Sequence, residues 1–448
     1  MYALKGMSKN IRELKPEIKK YREFLSKVKD KYPLPWDETT LQNPDFFKEA
    51  KSLGIDLGAK SPSQKGISKL MIFTNYMLYA NELDKDEKGP GFEFLNQQLG
   101  LDKDPPEGSA KFVANKHIEN LAKPEAREAL MGIINKDYLT GVWTSGKIFR
   151  ACSTSDGTNH WFEKDSFIFD FSLIDEKENM VKVLFPGSFW NKDKFDKAFE
   201  DASDKLKLLN KEKMELKPGK YRVWFEPNAV ADFIGMFNWN GVSESAFRNG
   251  SSCLLKMRNS NQKLSPLFSL NESFSSKATA PFNSRGEVSQ DVNIIDEGEL
   301  NNTLVNSKTA LEYNVTSNFA EEANSWGMGE YMRSPVMEAG DIAEDDCLTK
   351  LGTGIYISNI HYLNWSDVLG GRITGLTRYA CYWVEDGKMV APIKTMRFDD
   401  SFYNFFGKNL IGVGKETLAR PVIETYDGRN PGETVCPGIL VNDFELTL

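Results

Sequence analysis

The chain has 448 residues, of which 40% are hydrophobic, 12% aromatic and 27% charged. These values are typical of a folded globular protein and exclude a disordered, collagen-like or coiled-coil chain. At about 150 residues per domain, the length predicts two or three domains. The longest uncharged apolar run, residues 70–81, is shorter than the about 20 residues that cross a bilayer, and no secretory signal pattern opens the sequence. We therefore expect a cytoplasmic protein without a membrane partner.

The formal net charge of −8 is distributed unevenly along the chain. Residues 1–220 contain 37 Lys and Arg against 35 Asp and Glu, a net charge of +2, whereas residues 221–448 contain 19 against 29, a net charge of −10. Because nucleic-acid binding depends on neutralising phosphates, the acidic second half argues against a nucleic-acid partner.

Residues that bind metals or attack substrates are sparse. The three histidines lie far apart, the five cysteines form no CxxC pair, and neither HExxH nor a Cys/His cluster occurs. A zinc site usually needs three or four nitrogen or sulfur ligands, so we expect no metal on this chain and reduced cysteines packed mostly in the core. GxSxG, P-loop and GxGxxG motifs are also missing.

The first 140 residues have the pattern of helices separated by Pro and Gly breaks. Apolar residues at three-to-four spacing predict a helix over 10–31, and Ser61-Pro62 predicts the start of another that runs to about residue 83. Shorter helices are predicted at 110–122 and 124–135. Residues 1–140 are therefore predicted to form a helical N-terminal region.

The pattern changes to strand-like alternation at Val142. Strands are predicted at 147–152, 160–162, 167–173 and 180–185, followed by a helix capped by Asp193. Residues 141–217 would then form the α+β remainder of the N-terminal domain, which ends at Lys217-Pro218-Gly219.

The third predicted domain, residues 218–448, is rich in strands. A strand at 221–225 is followed by a helix after Pro227, and another strand is predicted at 355–359. Turns at 296–299 and 385–388 predict two hairpins, the second containing Asp-Gly. Because hairpins rather than crossover helices join the strands, we predict an α+β fold with mixed, largely antiparallel sheets.

The densest polar group of residues follows the strand at 355–359. Two stretches, 362–378 and 396–400, together hold three arginines (Arg372, Arg378, Arg397) and three aspartates (Asp367, Asp399, Asp400) among apolar strands. An unpaired buried charge would cost several kcal/mol. They must therefore pair with one another, as a network that locks the sheet, or with a peptide backbone or terminus in a polar groove. The candidate substrate-binding residues are Asn364, Ser366, Asp367, Arg372, Thr374 and Arg378. No catalytic residue is predicted.

Six segments together resemble the TldD/PmbA family. The matching segments are 219–227 (starting GKYRV), 295–298 (IDEG), 356–367, 372–378 (RITGLTR), 384–392 (VEDGKMVAP) and 437–441 (PGILV). The resemblance covers residues 219–448 and implies the fold of that family for this region.

The resemblance also implies a class within the family. TldD is a zinc peptidase with a His-Glu-x-x-x-His helix, whereas its partner TldE, also called PmbA and once described as a modulator of DNA gyrase, lacks these ligands. Their heterodimer cleaves unfolded peptides. In this sequence the corresponding helix, residues 228–237, contains neither His nor Glu, and Cys436 lies closer to the terminus than the cysteine ligand of the peptidase. The chain therefore resembles the PmbA/TldE type, and zinc is expected only on a TldD-like partner.

Three functions remain open at the sequence level. The first is a non-catalytic, peptide-binding subunit of a cytoplasmic zinc peptidase, paired with a TldD-like chain or with itself as a dimer. The second is a metallopeptidase with a rearranged metal site that uses His361, Asp367 or Cys436. The third is a structural interaction protein that has left proteolysis and docks through residues 1–140.

Overall fold

A computed structural model describes residues 110–113, 139–155, 157–239, 241–283, 285–321, 329–423 and 432–447, together with Lys31, Asp45, Lys48 and Ser52 singly. The chain divides into two compact units, residues 1–108 and 109–448. The helices predicted at 10–31, 61–83 and 124–135 lie outside the described residues, apart from Lys31 at the end of the first. The domain boundaries at 140 and 217 stay predictions.

The first sheet of the second unit is organised around one long strand. β3 (Asn159–Ile174) pairs antiparallel with β2 (Leu139–Ser153) along one edge. Its other edge pairs in parallel with β1 (Ala110–Val113) and antiparallel with β4 (Met180–Gly187). The strands predicted after Val142 are therefore confirmed, except that those at 160–162 and 167–173 are parts of one continuous strand, β3.

The helix predicted at 110–122 is wrong where it begins, because residues 110–113 form β1. β1 obtains its backbone hydrogen bonds from β3, which pairs Ala110 with His160 and Val113 with Glu163. A short segment with weak local preference takes the conformation that a non-local strand partner offers, and local periodicity does not report that partner.

Helix α1 (Lys192–Leu209) follows β4 and buries Phe195, Ala202 and Leu209. Its N-cap is Asn191, whose side chain accepts a hydrogen bond from the backbone N–H of Lys194 at 2.9 Å. The prediction that Asp193 caps this helix is wrong, because an N-cap needs an extended backbone and Asp193 already lies in the first helical turn.

The second sheet is larger and mostly antiparallel, and its strands run from residue 219 to residue 446. They are β5 (Gly219–Phe225), β6 (Leu270–Glu272), β7 (Val292–Asp296), β8 (Glu299–Leu300), β9 (Pro335–Met337), β10 (Gly354–Asp367), β11 (Arg372–Glu385), β12 (Lys388–Pro392), β13 (Arg397–Ser401), β14 (Leu410–Pro421) and β15 (Glu433–Leu446). The order is β12-β11-β10-β5-β15-β9-β6-β7-β8, and β14 also pairs with β15. Because β13 pairs with both β11 and β15, the strands β11, β10, β5, β15 and β13 form a closed ring.

Short helices connect these strands. They are α2 (Pro227–Met236), α3 (Glu244–Arg248), α4 (Leu255–Asn259), α5 (Ser307–Tyr313) and α6 (Cys347–Leu351). The largest core contains residues of α2 and of the ring, among them Phe225, Phe233, Phe398 and Phe444. The fold is therefore α+β with strands dominating, as predicted.

Several local predictions are also confirmed. The two predicted hairpins turn at Glu297-Gly298 and at Asp386-Gly387, between paired strands. All five cysteines are free thiols, and all except Cys152 are buried. Over the described ranges, no helix is both long enough and apolar enough to cross a membrane.

Candidate functional site

The register of three strands places most of the candidate polar residues on one face. Asn364 on β10 lies opposite Thr374 on β11, which lies opposite Asp399 on β13. In the next row, Asp367 lies opposite Arg372. Residues directly opposite each other in a sheet share a face. We call the outer surface formed by β10, β11 and β13 the polar face. Arg378 lies further along β11, opposite Asn359.

At the centre of the polar face, Arg372 forms an ion pair with Asp399. Its Nε and Nη2 atoms both lie 2.9 Å from Oδ1 of Asp399, and Nη2 also lies 3.5 Å from the Glu445 carboxylate. The Ser366 hydroxyl donates to the same Asp399 oxygen at 3.0 Å. Partial burial opposes the positive charge, but Asp399 and Glu445 outweigh it and raise the pKa of Arg372. Arg372 and Ser366 therefore belong to a network that locks the sheet.

Two further candidates also have structural roles. The Thr374 hydroxyl donates to the carbonyl oxygen of Phe398 at 3.0 Å and accepts from Nε of Arg397 at 3.1 Å. Asp367 accepts from the backbone N–H of Gly370 at 2.9 Å, which stabilises the turn between β10 and β11.

Asn364 and Arg378 are the candidates most available to a ligand. Asn364 is exposed, and its side-chain oxygen accepts only from the adjacent backbone N–H of Trp365 within the described structure. Arg378 is exposed, lies over the ring of Tyr379 at 5.2 Å, and makes no ion pair with any residue that the structure describes. Both can present donors to a bound chain.

The adjacent carboxylates Asp399 and Asp400 point to opposite faces of β13, as strand geometry predicts. Asp400 is buried, where it accepts from the Asn404 side chain and from the backbone N–H of Glu445. Burial raises the pKa of Asp400 despite these hydrogen bonds. The two carboxylates therefore do not form an acid–base pair.

An exposed aromatic residue beside the polar face is not among the candidates nominated from the sequence. Tyr362 is 75% exposed and has a positive φ of 54°, and its ring lies 4.2 Å from that of His361. The pairing of β10 with β11 shifts between His361 and Asn364. Strand alternation in the sequence gives no sign of this bulge.

Helix α2, where the sequence resemblance predicts the counterpart of the peptidase motif, contains no His, Glu or Cys. Phe233 and Ile234 of α2 are buried in the core, and Asp232 forms an ion pair with Arg420. Arg420 also contacts the carbonyl oxygen of Asn228 at 3.4 Å. The side chains of α2 therefore serve packing and one ion pair, and they do not fit a zinc ion.

Within the described residues, Cys436 and His361 belong to no group of three candidate metal ligands. The buried Cys436 thiol donates to the carbonyl oxygen of Pro227 at 3.2 Å, and burial raises its pKa to about 12. A metal binds the thiolate, which this environment disfavours. Over the described residues, no group of three His, Cys, Asp or Glu side chains could hold a metal ion.

Comparisons with known proteins place this fold in a family. A family model for the PmbA/TldA metallopeptidase C-terminal domain matches residues 218–448. The chain is 24% identical over 148 residues to a metalloprotease PmbA homolog from Haemophilus influenzae. The aligned region covers 33% of this chain and only 30% of that protein.

Solved structures share the fold. TldE from Thermococcus kodakarensis is 13% identical with a TM-score of 0.60, covering 81% of this chain and 86% of that one. Two candidate modulators of DNA gyrase are each 16% identical with a TM-score of 0.55. The match to the protein from Thermotoga maritima covers 68% of this chain and 68% of that one. The match to the protein from Bacteroides thetaiotaomicron covers 80% of this chain and 82% of that one. The family match spans just over half of the chain, and the protein is therefore a peptidase-related member of the TldD/PmbA family.

Proposed function

We propose that this protein is a non-catalytic, TldE/PmbA-like subunit of a cytoplasmic zinc-peptidase complex, in which it binds unfolded peptides. The observation that carries this proposal is the composition of α2. The helix that would carry His-Glu-x-x-x-His in the zinc peptidases instead buries Phe233 and pairs Asp232 with Arg420. A TldD-like partner would supply the zinc ion and the general base.

The polar face supports peptide binding. One edge of β10 pairs with β11, and the other edge pairs with β5 only at residues 355–357. Over residues 359–367, no strand in the described part of the chain pairs with this second edge. An extended peptide can add to such an edge through main-chain hydrogen bonds. Asn364 and Arg378 would contact the peptide backbone and its terminal carboxylate.

The division of labour is tested by expressing the chain alone and together with a TldD-like peptidase. We expect zinc and peptide cleavage only when the partner is present, and an intact mass for the complex that contains both chains. Native mass spectrometry with metal analysis measures both. Stoichiometric zinc and peptidase activity on this chain alone would overturn the proposal.

Peptide binding is tested with a fluorescent unfolded peptide of Gly, Ser, Ala and Asp residues. We expect Asn364→Ala and Arg378→Gln each to weaken binding about three- to tenfold, because each removes about one hydrogen bond to a ligand. Lys388→Gln is the matched control, since Lys388 is exposed at the start of β12, opposite Glu385 at the end of β11 and outside the polar face. Equal peptide affinities for the wild type and all three variants would refute the proposal that the peptide binds at the polar face.

A further inference from the structure

A cavity of about 290 Å³ lies away from the polar face, between the two sheets of the second unit. Its walls come from β4, α1, the end of β5 and the strands β14 and β15, and include the apolar side chains of Trp224, Ile342 and Leu418. Ligand pockets for small molecules commonly measure about 300–1,000 Å³. This cavity is therefore of a size for one long side chain rather than for a cofactor.

The two lysines at the cavity are already neutralised. Lys205 forms an ion pair with Glu226, which also accepts from the hydroxyl of Tyr356. Lys182 pairs with Asp170. Burial opposes the charge of Lys205, but the Glu226 carboxylate outweighs it and raises the pKa of the lysine. An anionic ligand would have to compete with these internal partners.

The start of α2 does not favour an anion either. The backbone N–H groups of Ala229 and Val230 donate to the carbonyl oxygen of Glu226, and Pro227 has no N–H to offer. Glu226 is the N-cap residue, and its carboxylate, which makes no capping hydrogen bond, adds a negative charge beside this end of the helix. The backbone N–H groups that the start of a helix usually offers to an anion are therefore mostly hydrogen-bonded within the chain already.

Three further carboxylates at the cavity form no ion pair within the described structure, although one of them, Asp201, adds to the attraction that Glu226 exerts on Lys205. Asp201, Glu344 and Glu416 line the cavity and are exposed, so they stand at its open side. The only hydrogen bond described for them joins Glu416 to the backbone N–H of Glu344 at 2.9 Å. The cavity therefore has more carboxylates than lysines along its lining, and its net charge is negative. These carboxylates lie beside the apolar wall described above.

We propose that this cavity binds a lysine or arginine side chain of a peptide, an inference that rests on the proposed peptide-binding function. The methylene groups would lie against Trp224, Ile342 and Leu418, and the charged end would lie among the three carboxylates, as long basic side chains do at apolar surfaces. The Cys347 thiol also lines the cavity, and burial raises its pKa to about 11. The thiol therefore stays protonated at neutral pH and adds no charge to the cavity.

The test uses the full chain and two probes with the same four-carbon side chain, Nα-acetyl-lysine amide and Nα-acetyl-norleucine amide, in an NMR titration. We expect saturable binding of the lysine probe, with a dissociation constant of about 1 mM, that weakens as salt rises because the carboxylates are exposed. The norleucine probe should bind at least about tenfold more weakly, since it lacks the charge.

Variants locate the site. The double variant Asp201→Asn with Glu416→Gln should weaken lysine binding about three- to tenfold, and Ala198→Phe, which fills the cavity from α1, should abolish it. Glu200→Gln is the control, because Glu200 is an exposed neighbour on α1 that does not line the cavity. Equal binding of both probes, or wild-type binding by the double variant, would overturn the proposal. Asn364→Ala and Arg378→Gln should leave probe binding unchanged, so failure here is distinguishable from failure of the polar face.

Discussion

Glu244 shows how one buried carboxylate is kept ionised. Its side chain is 5% exposed, yet it accepts from Arg248 at 2.7 Å, from Arg258 at 2.5 Å and from the Thr303 hydroxyl at 2.7 Å. Burial alone would raise its pKa, but these partners outweigh burial and lower the pKa to about 2. The ionised carboxylate therefore connects α3, α4 and the segment that contains Thr303.

The lowered pKa of Glu244 predicts a pH dependence of stability. Because the pKa falls from 4.5 to about 2 on folding, the stabilisation is present above pH 4.5 and is lost as pH falls towards 2. We expect Glu244→Gln to lower the free energy of unfolding by about 2 kcal/mol at neutral pH, since it leaves the arginines partly unpaired. The variant should also lose stability less steeply in acid.

Urea denaturation at several pH values measures both effects. Glu215→Gln is the matched control, because Glu215 pairs with Lys394 at the surface and should leave the unfolding curve unchanged. Parallel pH profiles for the wild type and Glu244→Gln would contradict the assignment.

At the scale of elements, two hairpins use the same turn residue under different constraints. Gly298 between β7 and β8 and Gly387 between β11 and β12 have φ values of 79° and 73°, after residues that also have positive φ. A Cβ atom at Gly298 would lie 2.5 Å from the carbonyl oxygen of Leu264, whereas one at Gly387 would lie 3.2 Å from the Cα atom of Thr349. Of the two glycines, Gly298 is the one that lies too close to a neighbouring backbone segment to accommodate a Cβ atom.

The two turns therefore predict unequal costs for the same substitution. Gly387→Ala should lower the free energy of unfolding by about 1 kcal/mol, the cost of a left-handed backbone for a residue with a side chain. Gly298→Ala should cost more, about 3 kcal/mol, because the segment at Leu264 must also move. Thermal denaturation of the two variants compares them directly, and equal melting temperatures would show that the close approach at Gly298 is relaxed in solution.

These elements also show which features a sequence reveals. The Asp-Gly turn at 386–387 was predictable because its signal is local. The segment 110–113 was not, because its strand conformation depends on β3. The residues of the polar face could be nominated from sequence, but the pairing of Arg372 with Asp399 depends on strand register. The cavity beside Lys205 has no motif, since its walls come from seven separate segments of chain.

At the scale of the whole molecule, the two sheets share a hydrophobic core. Phe169 and Phe195 of the first sheet and its helix lie in one buried cluster with Trp224, Tyr356 and Tyr382 of the second sheet. The ring of Phe195 lies 4.7 Å from Trp190 and 5.3 Å from Phe185. The start of the family match at residue 218 therefore falls within a continuous core and not at a gap in packing.

This shared core predicts that residues 139–447 unfold cooperatively. Phe195→Ala should remove about 3 kcal/mol of stability by leaving a cavity in the core. If the sheets are coupled, hydrogen exchange measured by mass spectrometry should speed up in β10 and β11 as well as in β2 and β3. Leu311→Ala is the control, because Leu311 is 86% exposed on α5 and should change neither region. Faster exchange confined to β2, β3 and α1 would show instead that residues 218–448, the region of the family match, are stable independently of the first sheet.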